Sequence, residues 1–272
     1  MNNVKVQIDI SIVLIAWNVR ELLDDCIKSI LANTNNVRYE IILVDNNSID
    51  GTKEMVKTNY PGIFLIENPT NRGVAPARNQ GIKAAKGKYI LILDADTKLF
   101  ENSIEMMFSF MEKNVHTGVV GCTLVDGKGH LQYSCKRFPT IRAIVSRRLE
   151  FLSMFRNSVQ LNNHIMKDWD HASVAEVDYV IGACQFIRSS ALTVIGMYDE
   201  KIFYGPEDLD LCLRMWRANY HVQYFPHTKI YHLEQRVTKR NPFSSLSFKH
   251  VIGMFYLFRK YNFMLTRAVP KI

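Results

Sequence analysis

Tyr89-Ile-Leu-Ile-Leu-Asp-Ala-Asp-Thr97 is the stretch that decides the fold. Its apolar run, Ile90 to Leu93, has no alternation. A strand covered on both faces requires that pattern. The run ends in two acids one residue apart, Asp94 and Asp96. Parallel sheets flanked by helices carry their ligand chemistry beyond the carboxyl ends of the strands. Two carboxylates at such an end can hold a hard divalent cation and polyol hydroxyls. Taken alone, an Asp-x-Asp is more often a polar turn, because Asp is a common turn residue. The neighbouring segments reverse that reading.

Upstream, the same strand-to-helix alternation repeats. Ile10 to Trp17 is strand-like, and Glu21 to Leu31 is helical, with Leu22, Leu23, Cys26, Ile27 and Ile30 on one stripe. Glu40 to Asp45 is a second apolar strand ending in an acid. Asp50-Gly-Thr52 opens a helix carrying Met55 and Val56, and Ile63 to Ile66 is a third strand. Gly73 to Ala85 reads as a helix packed through Ala75, Ala77, Ala84 and Ala85 and closed by Gly87. This β-α-β-α-β-α-β order predicts an α/β fold with a doubly wound, mostly parallel sheet. Downstream the pattern changes. Residues 101–113 are helical, and Val119 to Val125 with Leu131 to Cys135 form a hairpin around Asp126-Gly127. Residues 137–175 show no clean period, as in a partly ordered functional loop. A strand over Tyr179 to Ile187 follows, then helices over Ser189 to Ile195, Asp208 to Ala218 and residues 244–263.

The 272 residues are 47% hydrophobic and 22% charged, which places the chain among soluble globular proteins. No stretch reaches the ~18–20 apolar residues of a membrane span. The start, Met1-Asn-Asn-Val-Lys-Val-Gln-Ile-Asp9, lacks the layout of a signal peptide. Five cysteines without a CxxC pair or zinc-ligand spacing fit a reduced, cytoplasmic setting. The expected organisation is one unit over residues 1–243, in two halves that divide at residue 100. A C-terminal basic amphipathic helix occupies 244–272. Charge is uneven. Residues 1–210 carry 23 basic and 25 acidic side chains, whereas 211–272 carry 11 basic and one acidic. A basic end either faces an anionic partner or is a solvated surface.

Three strand ends offer polar groups together: Ala16-Trp17-Asn18, Asp45-Asn46-Asn47-Ser48 and Asp94-Ala95-Asp96. Parallel strands put them on one sheet edge, where a nucleotide fits. Asp45 can accept from a base N–H or a ribose hydroxyl, Asp94 can take the ribose, and Asp96 is placed for a metal on the diphosphate. Arg72 and Arg78 flank Gly73 and either meet phosphate or are solvated. Neither a Walker loop nor a Gly-x-Gly-x-x-Gly fingerprint is present. Gly205-Pro-Glu-Asp-Leu-Asp210 is a second acidic cluster. Its acids complement a helix dipole, and one of them can serve as the base for an acceptor hydroxyl. Of eight histidines, His232 stands out, since it follows the strand-like Lys229-Ile-Tyr231 and can complete a metal site with Asp96.

These residues resemble a family-2 glycosyltransferase of the GT-A fold over nearly the whole chain. The matching segments are Ser11 to Asn18, Leu43 to Thr52, Asn71 to Gly81, Leu93 to Asp96, Val180 to Arg188 and Pro206 to Arg214. The resemblance implies inverting transfer of a sugar from a nucleotide-diphosphate donor to a hydroxyl. Asp208 is then the general base, and Asp96 and His232 hold Mg²⁺ or Mn²⁺. Ala16, Trp17, Asn18, Asp45, Asn47, Arg72, Arg78, Asp94 and Ala95 line the donor. Gly182, Ala183, Cys184, Glu207 and Asp208 face the acceptor. Phe138-Pro139, Asp168-Trp-Asp-His171, Val177-Asp178 and His232-Leu-Glu-Gln-Arg236 further resemble bacterial rhamnosyltransferases of surface-polysaccharide synthesis. That implies dTDP-rhamnose as donor and a saccharide or polyprenyl-linked saccharide as acceptor. The chain departs from many relatives in lacking a glycine soon after His232.

Phe248, Val251, Ile252, Phe255 and Phe258 fall on one helical stripe, with Lys249, Arg259, Lys260 and Arg267 nearby. The stripe either lies at the anionic inner face of the plasma membrane or closes the core. Three competing readings are weaker. A nucleotidyltransferase would carry a Gly-rich, Arg-containing loop after the first strand, a non-catalytic binder would not need all four of Asp94, Asp96, Asp208 and His232, and nucleic acid is suggested only by the basic tail. The oligomeric state, homodimer included, stays open.

Overall fold

A computed structural model of the protein describes residues 7–150, 155, 158–234 and 244–267. The first six residues of the N-terminal segment, and Gln235 and Arg236 of the His232 segment, lie outside the described residues. The first half runs β1 (Ile10–Ala16), α1 (Arg20–Asn33), β2 (Tyr39–Asp45), α2 (Thr52–Asn59), β3 (Phe64–Glu67), α3 (Val74–Ala84) and β4 (Tyr89–Asp94). The second half adds β5 (Thr97–Leu99), α4 (Ser103–Lys113), β6 (Thr117–Val125), β7 (Leu131–Gln132), β8 (Cys135–Lys136), α5 (Ile141–Arg148) and α6 (Val159–His164). It continues with β9 (Ala175–Glu176), β10 (Tyr179–Val180), β11 (Cys184–Arg188), α7 (Ser189–Ile195), α8 (Glu207–Arg217), β12 (His221–His232) and α9 (Ser245–Lys260).

The main sheet has the order β3-β2-β1-β4-β11-β6-β12-β5. Its first four strands are parallel, in register from Ala16 opposite Asp45 to Ile15 opposite Asp94. β11 then runs antiparallel to β4, with Cys184 opposite Leu93. Successive residues of β4 enter two different cores: Leu91 and Leu93 pack with α1 and α4, while Ile90 and Ile92 pack with α3 and α8. Each such side chain contributes about 1.5–3 kcal/mol by burial. This double coverage is why Ile90 to Leu93 shows no polar position, and it leaves Asp94 as the first residue that can face solvent.

Three expectations are corrected, and one reading left open is narrowed. α3 ends at Ala84 with extended Ala85 as its cap, so Gly87 is not the helix stop. A Cβ on Gly87 would lie 2.5 Å from the Ser11 nitrogen, and glycine is needed there because the chain crosses β1 closely. The strand expected over Tyr179 to Ile187 is two strands, β10 and β11, separated by the turn Ile181-Gly-Ala183. The hairpin partner of β6 is only Leu131–Gln132, while Cys135–Lys136 crosses to β10. Finally, the apolar stripe of α9 divides. Phe258 is buried, but Phe248, Val251, Ile252 and Phe255 are exposed, so the stripe does not close the core.

The basic tail also reads differently in three dimensions. Arg214 pairs with Asp210, Lys260 with Asp199 and Asp210, and Arg267 with Asp178 and Glu176. Lys260 and Arg267 therefore latch the C-terminal segment to the body, while Arg214 pairs within its own helix. No helix of the described residues is long and apolar enough to cross a membrane.

Candidate active site

The site is organised by the backbone of one residue. Gly182 sits in the turn before β11; its carbonyl accepts from Arg78 Nη2 at 3.0 Å, and its N–H donates to Asp208 Oδ2 at 3.0 Å. Arg78, on α3, also donates to Glu207 Oε1 at 2.8 Å and to Asp94 Oδ1 at 3.1 Å. The Ala183 carbonyl accepts from the Asp94 N–H at 3.1 Å. One buried guanidinium thus fastens α3, β4, the Gly182 turn and the start of α8. A Cβ on Gly182 would lie 2.5 Å from the Arg78 guanidinium, so no larger residue fits beside it.

The three acids opening α8 divide their work. Asp208 is half-buried and accepts from Gly182 N–H and from Leu209 N–H at 2.7 Å. Two backbone donors fix its direction and leave lone pairs for a substrate proton. Glu207 is buried against Arg78, and its Oε2 has no partner. Burial pushes its carboxyl up to about 7, with Arg78 pulling down and Asp208 pushing further up. Asp210 is wholly buried and accepts from Arg214, Lys260 and Tyr261, a structural anchor for α9.

Asp94, Asp96 and His232 bring three ligand atoms within 4.8 Å of one another. His232 ends β12 and reaches Asp96 Oδ1 with Nε2 at 3.5 Å. Its Nδ1 is 2.9 Å from Gln132 Oε1, and Gln132 Nε2 donates to the His232 carbonyl at 2.9 Å. An amide oxygen can only accept, so Nδ1 carries the proton and Nε2 presents its lone pair to the acids. Burial, then repulsion from Asp94, pushes Asp96 up to about 6. Two crowded carboxylates and an imidazole lone pair form a donor set that fits a divalent cation of the Mg²⁺ or Mn²⁺ type. Asp94, expected on the ribose, stands within the same cluster as Asp96 and His232.

The donor edge is built by reciprocal loop bonds. Asn46 N–H donates to the Ala16 carbonyl at 2.8 Å, Asn18 N–H to Ser48 Oγ at 3.0 Å, and Ile49 N–H to Asn18 Oδ1 at 2.9 Å. Asn18 and Asn47 hold left-handed backbone, at φ 54° and 70°, which Asn tolerates. Asp45 is fully buried; one oxygen accepts from Ser48 N–H, and the other has no partner among the described residues. An unmatched buried acceptor is costly unless a ligand completes it. Trp17 is 51% exposed beside it, and Arg72 is exposed at the start of α3.

A cavity of about 810 Å³ joins the acids to the second half of the chain. Its lining includes Asp94, Asp96, Glu207, Asp208 and His232, and also Lys136, Arg147, Arg148 and His250. Ala16, Trp17, Asn18, Asp45, Asn47 and Arg72 lie outside this lining, along the sheet edge. Three expected roles change. Arg78 is 3% exposed and committed to Glu207, Asp94 and Gly182, so it positions the site rather than meeting phosphate. Cys184 turns into the core, its sulfur 3.8 Å from Cys122, and cannot face an acceptor. Ala95 is likewise a core residue, and Gly182 and Ala183 remain in the lining. Sequence reasoning missed Gln132, whose only signal was its place in the hairpin. It also missed Lys136, Arg147 and Arg148, which lie at or near a region without periodicity.

Comparison with known proteins agrees with this geometry. The family model "Glycosyl transferase family 2" matches residues 11–182. An N-acetylglucosaminyl-diphospho-decaprenol L-rhamnosyltransferase of Mycobacterium tuberculosis is 25% identical over 222 residues, covering 77% of this chain and 71% of that one. A poly(ribitol-phosphate) beta-glucosyltransferase of Bacillus spizizenii is 28% identical over 200 residues, covering 70% of this chain but 31% of that one. The solved mannosyltransferase of Pyrobaculum calidifontis, in complex with GDP-Man and Mn²⁺, superposes with TM-score 0.60 at 17% identity, covering 86% of this chain and 59% of that one. At that identity the superposition establishes the GT-A fold.

Proposed function

The chain belongs to glycosyl transferase family 2, and from that premise we propose an inverting, metal-dependent transferase that moves a sugar from a nucleotide diphosphate to an acceptor hydroxyl. The reading rests on one observation above all: the metal-fitting cluster Asp94, Asp96 and His232 lines the same cavity as Asp208. The nucleotide lies along the ends of β1, β2 and β4, where the open oxygen of Asp45 accepts from the base. Asp208 takes the proton from the acceptor hydroxyl as its oxygen bonds to the anomeric carbon. The bond from that carbon to the diphosphate breaks with inversion, and the electron pair leaves on the diphosphate. A bound Mg²⁺ or Mn²⁺ supplies the positive charge that stabilises the leaving diphosphate.

The donor we favour is dTDP-rhamnose, supported by the mycobacterial rhamnosyltransferase. A UDP-sugar is the alternative within the family. The acceptor is a saccharide, free or lipid-linked, in bacterial cell-surface polysaccharide synthesis; the mycobacterial relative is named for an N-acetylglucosaminyl-diphospho-decaprenol. The exposed stripe Phe248, Val251, Ile252 and Phe255 suits a peripheral position at an anionic membrane. A thermal-shift panel of nucleoside diphosphates and nucleotide sugars, with and without Mn²⁺, tests the donor side. Stabilisation by dTDP-rhamnose above UDP-sugars, only with Mn²⁺, is the expected result. Stabilisation by none of them sinks the reading.

A further inference from the structure

The cavity contains cations that the transfer described above does not use. Lys136 ends β8, and Arg147 and Arg148 lie in the last turn of α5. All three line the cavity. Among the described residues, Lys136 and Arg147 have no ion-pair partner, whereas the tail cations Arg214, Lys260 and Arg267 do. Arg148 reaches only neutral groups, the Ser247 carbonyl at 3.3 Å and His250 Nδ1 at 3.4 Å. Burial, then repulsion from Arg147, pulls Lys136 down to about 8. Asp208 and Glu234 draw on Lys136 from the same cavity, while Arg147 and Arg148 are exposed there, where their forked donors can meet an anion.

We propose that Lys136, Arg147 and Arg148 form the binding site for the diphosphate of a lipid-linked acceptor. The assignment rests on the glycosyltransferase reading and gives it an acceptor class. Arg147 and Asp208 both act electrostatically on Lys136 and on Tyr179, so the cations and the proposed base lie around one space. A sugar carrying diphosphate at one end and offering a hydroxyl at the other spans such a space. Guanidinium pairs suit phosphate oxygens, which they meet with forked hydrogen bonds. The lipid has a matching surface. Arg148 ties α5 to α9, and the two helices expose Ile141 and Val145, and Phe248, Val251, Ile252 and Phe255, respectively. His250 and Met254 of α9 line the cavity itself, so the apolar face adjoins its wall.

Geranyl diphosphate, titrated into the protein by calorimetry in EDTA, is the probe. It should bind without metal and more tightly than inorganic pyrophosphate, and geraniol should bind far more weakly. Arg147→Ala with Arg148→Ala should weaken geranyl diphosphate at least tenfold. Arg147→Ala alone, at an exposed position without a partner, should weaken it severalfold and guards against misfolding of the double variant. Phe248→Ala with Ile252→Ala should weaken geranyl diphosphate and leave pyrophosphate unchanged. Unchanged binding in both arginine variants overturns the site. Binding that needs Mn²⁺ and disappears in Asp96→Ala also overturns it, because the probe then occupies the donor diphosphate position. Transfer assays run in parallel separate the two claims. No transfer from any nucleotide sugar defeats the enzyme reading alone, whereas transfer with an unaltered acceptor KM in the double variant defeats this site alone.

Discussion

The acids at the sheet edge and the cations on the α5 side line one cavity, but they are held in opposite ways. Asp94, Glu207 and Asp208 are each fixed by Arg78 or by Gly182. Lys136 and Arg147 have no ion-pair partner among the described residues. A prepaid network holds the acid side in one geometry before substrate arrives, and geometry is what proton transfer and metal ligation demand. The cationic side leaves Arg147 and Arg148 exposed, where an anion supplied from outside can meet them. The lesson is that net charge by segment misleads: Lys260 and Arg267 of the basic tail are latched, and the cations lining the cavity come from residues 136–148.

The hardest blow to the acid side is Asp208→Asn. It should lower kcat by about 10²–10⁴-fold while Mn²⁺-dependent nucleotide binding survives; near-normal turnover would remove Asp208 as the base. Next is Arg78→Ala, which strands buried Glu207 beside Asp94. A loss of about 3–5 kcal/mol in urea unfolding is expected, as for any broken buried pair. Arg78→Lys should not restore it, because one ammonium cannot reach three acceptors in a fixed fork. A small loss would show that the acids need no clamp. Gln132→Ala should raise the Mn²⁺ Kd about 10–100-fold through the freed His232 ring. An unchanged titration would separate His232 from the metal.

The smallest effect tests the cationic side. His164 lines the cavity, and burial, then Lys136 and Arg147, pushes it down to about 3. Unfolded histidine titrates near pH ~6.5. Between those values the unfolded chain takes a proton that the folded chain refuses. The stabilisation is therefore complete above pH ~6.5 and is lost as pH falls toward 3, at about 1.4 kcal/mol per pH unit. His164→Asn should flatten the difference between unfolding midpoints at pH 7 and pH 5. Equal differences in both proteins would mean that the cations do not disfavour a charge there.

Legibility followed the same division. Strands β1 to β4 could be read because parallel strands buried on both faces leave unbroken apolar runs, and Asp45, Asp94 and Asp96 could be read from where those runs stop. Asp208 and His232 needed the family pattern as well. Cys184 was misjudged because a short turn before β11 shifts which residues face the cavity, and one residue of shift reverses a strand's faces. Arg78 was misjudged because its partners are 16, 104 and 129 residues away in sequence. Gln132 and Arg147 carried no pattern, since each acts through neighbours from other elements.

By itself, the sequence determined the α/β architecture, the edge at which the acids collect and the family. Those properties are local: hydrophobic period sets the strands, and strand ends set the edge. Only the tertiary structure decided that Arg78 is a clamp, that Lys260 and Arg267 are latched and that Lys136, Arg147 and Arg148 line the same cavity as Asp208. Pairing of charges depends on distance in space, and a distance of a few ångströms between residues a hundred positions apart leaves no periodic trace in the chain.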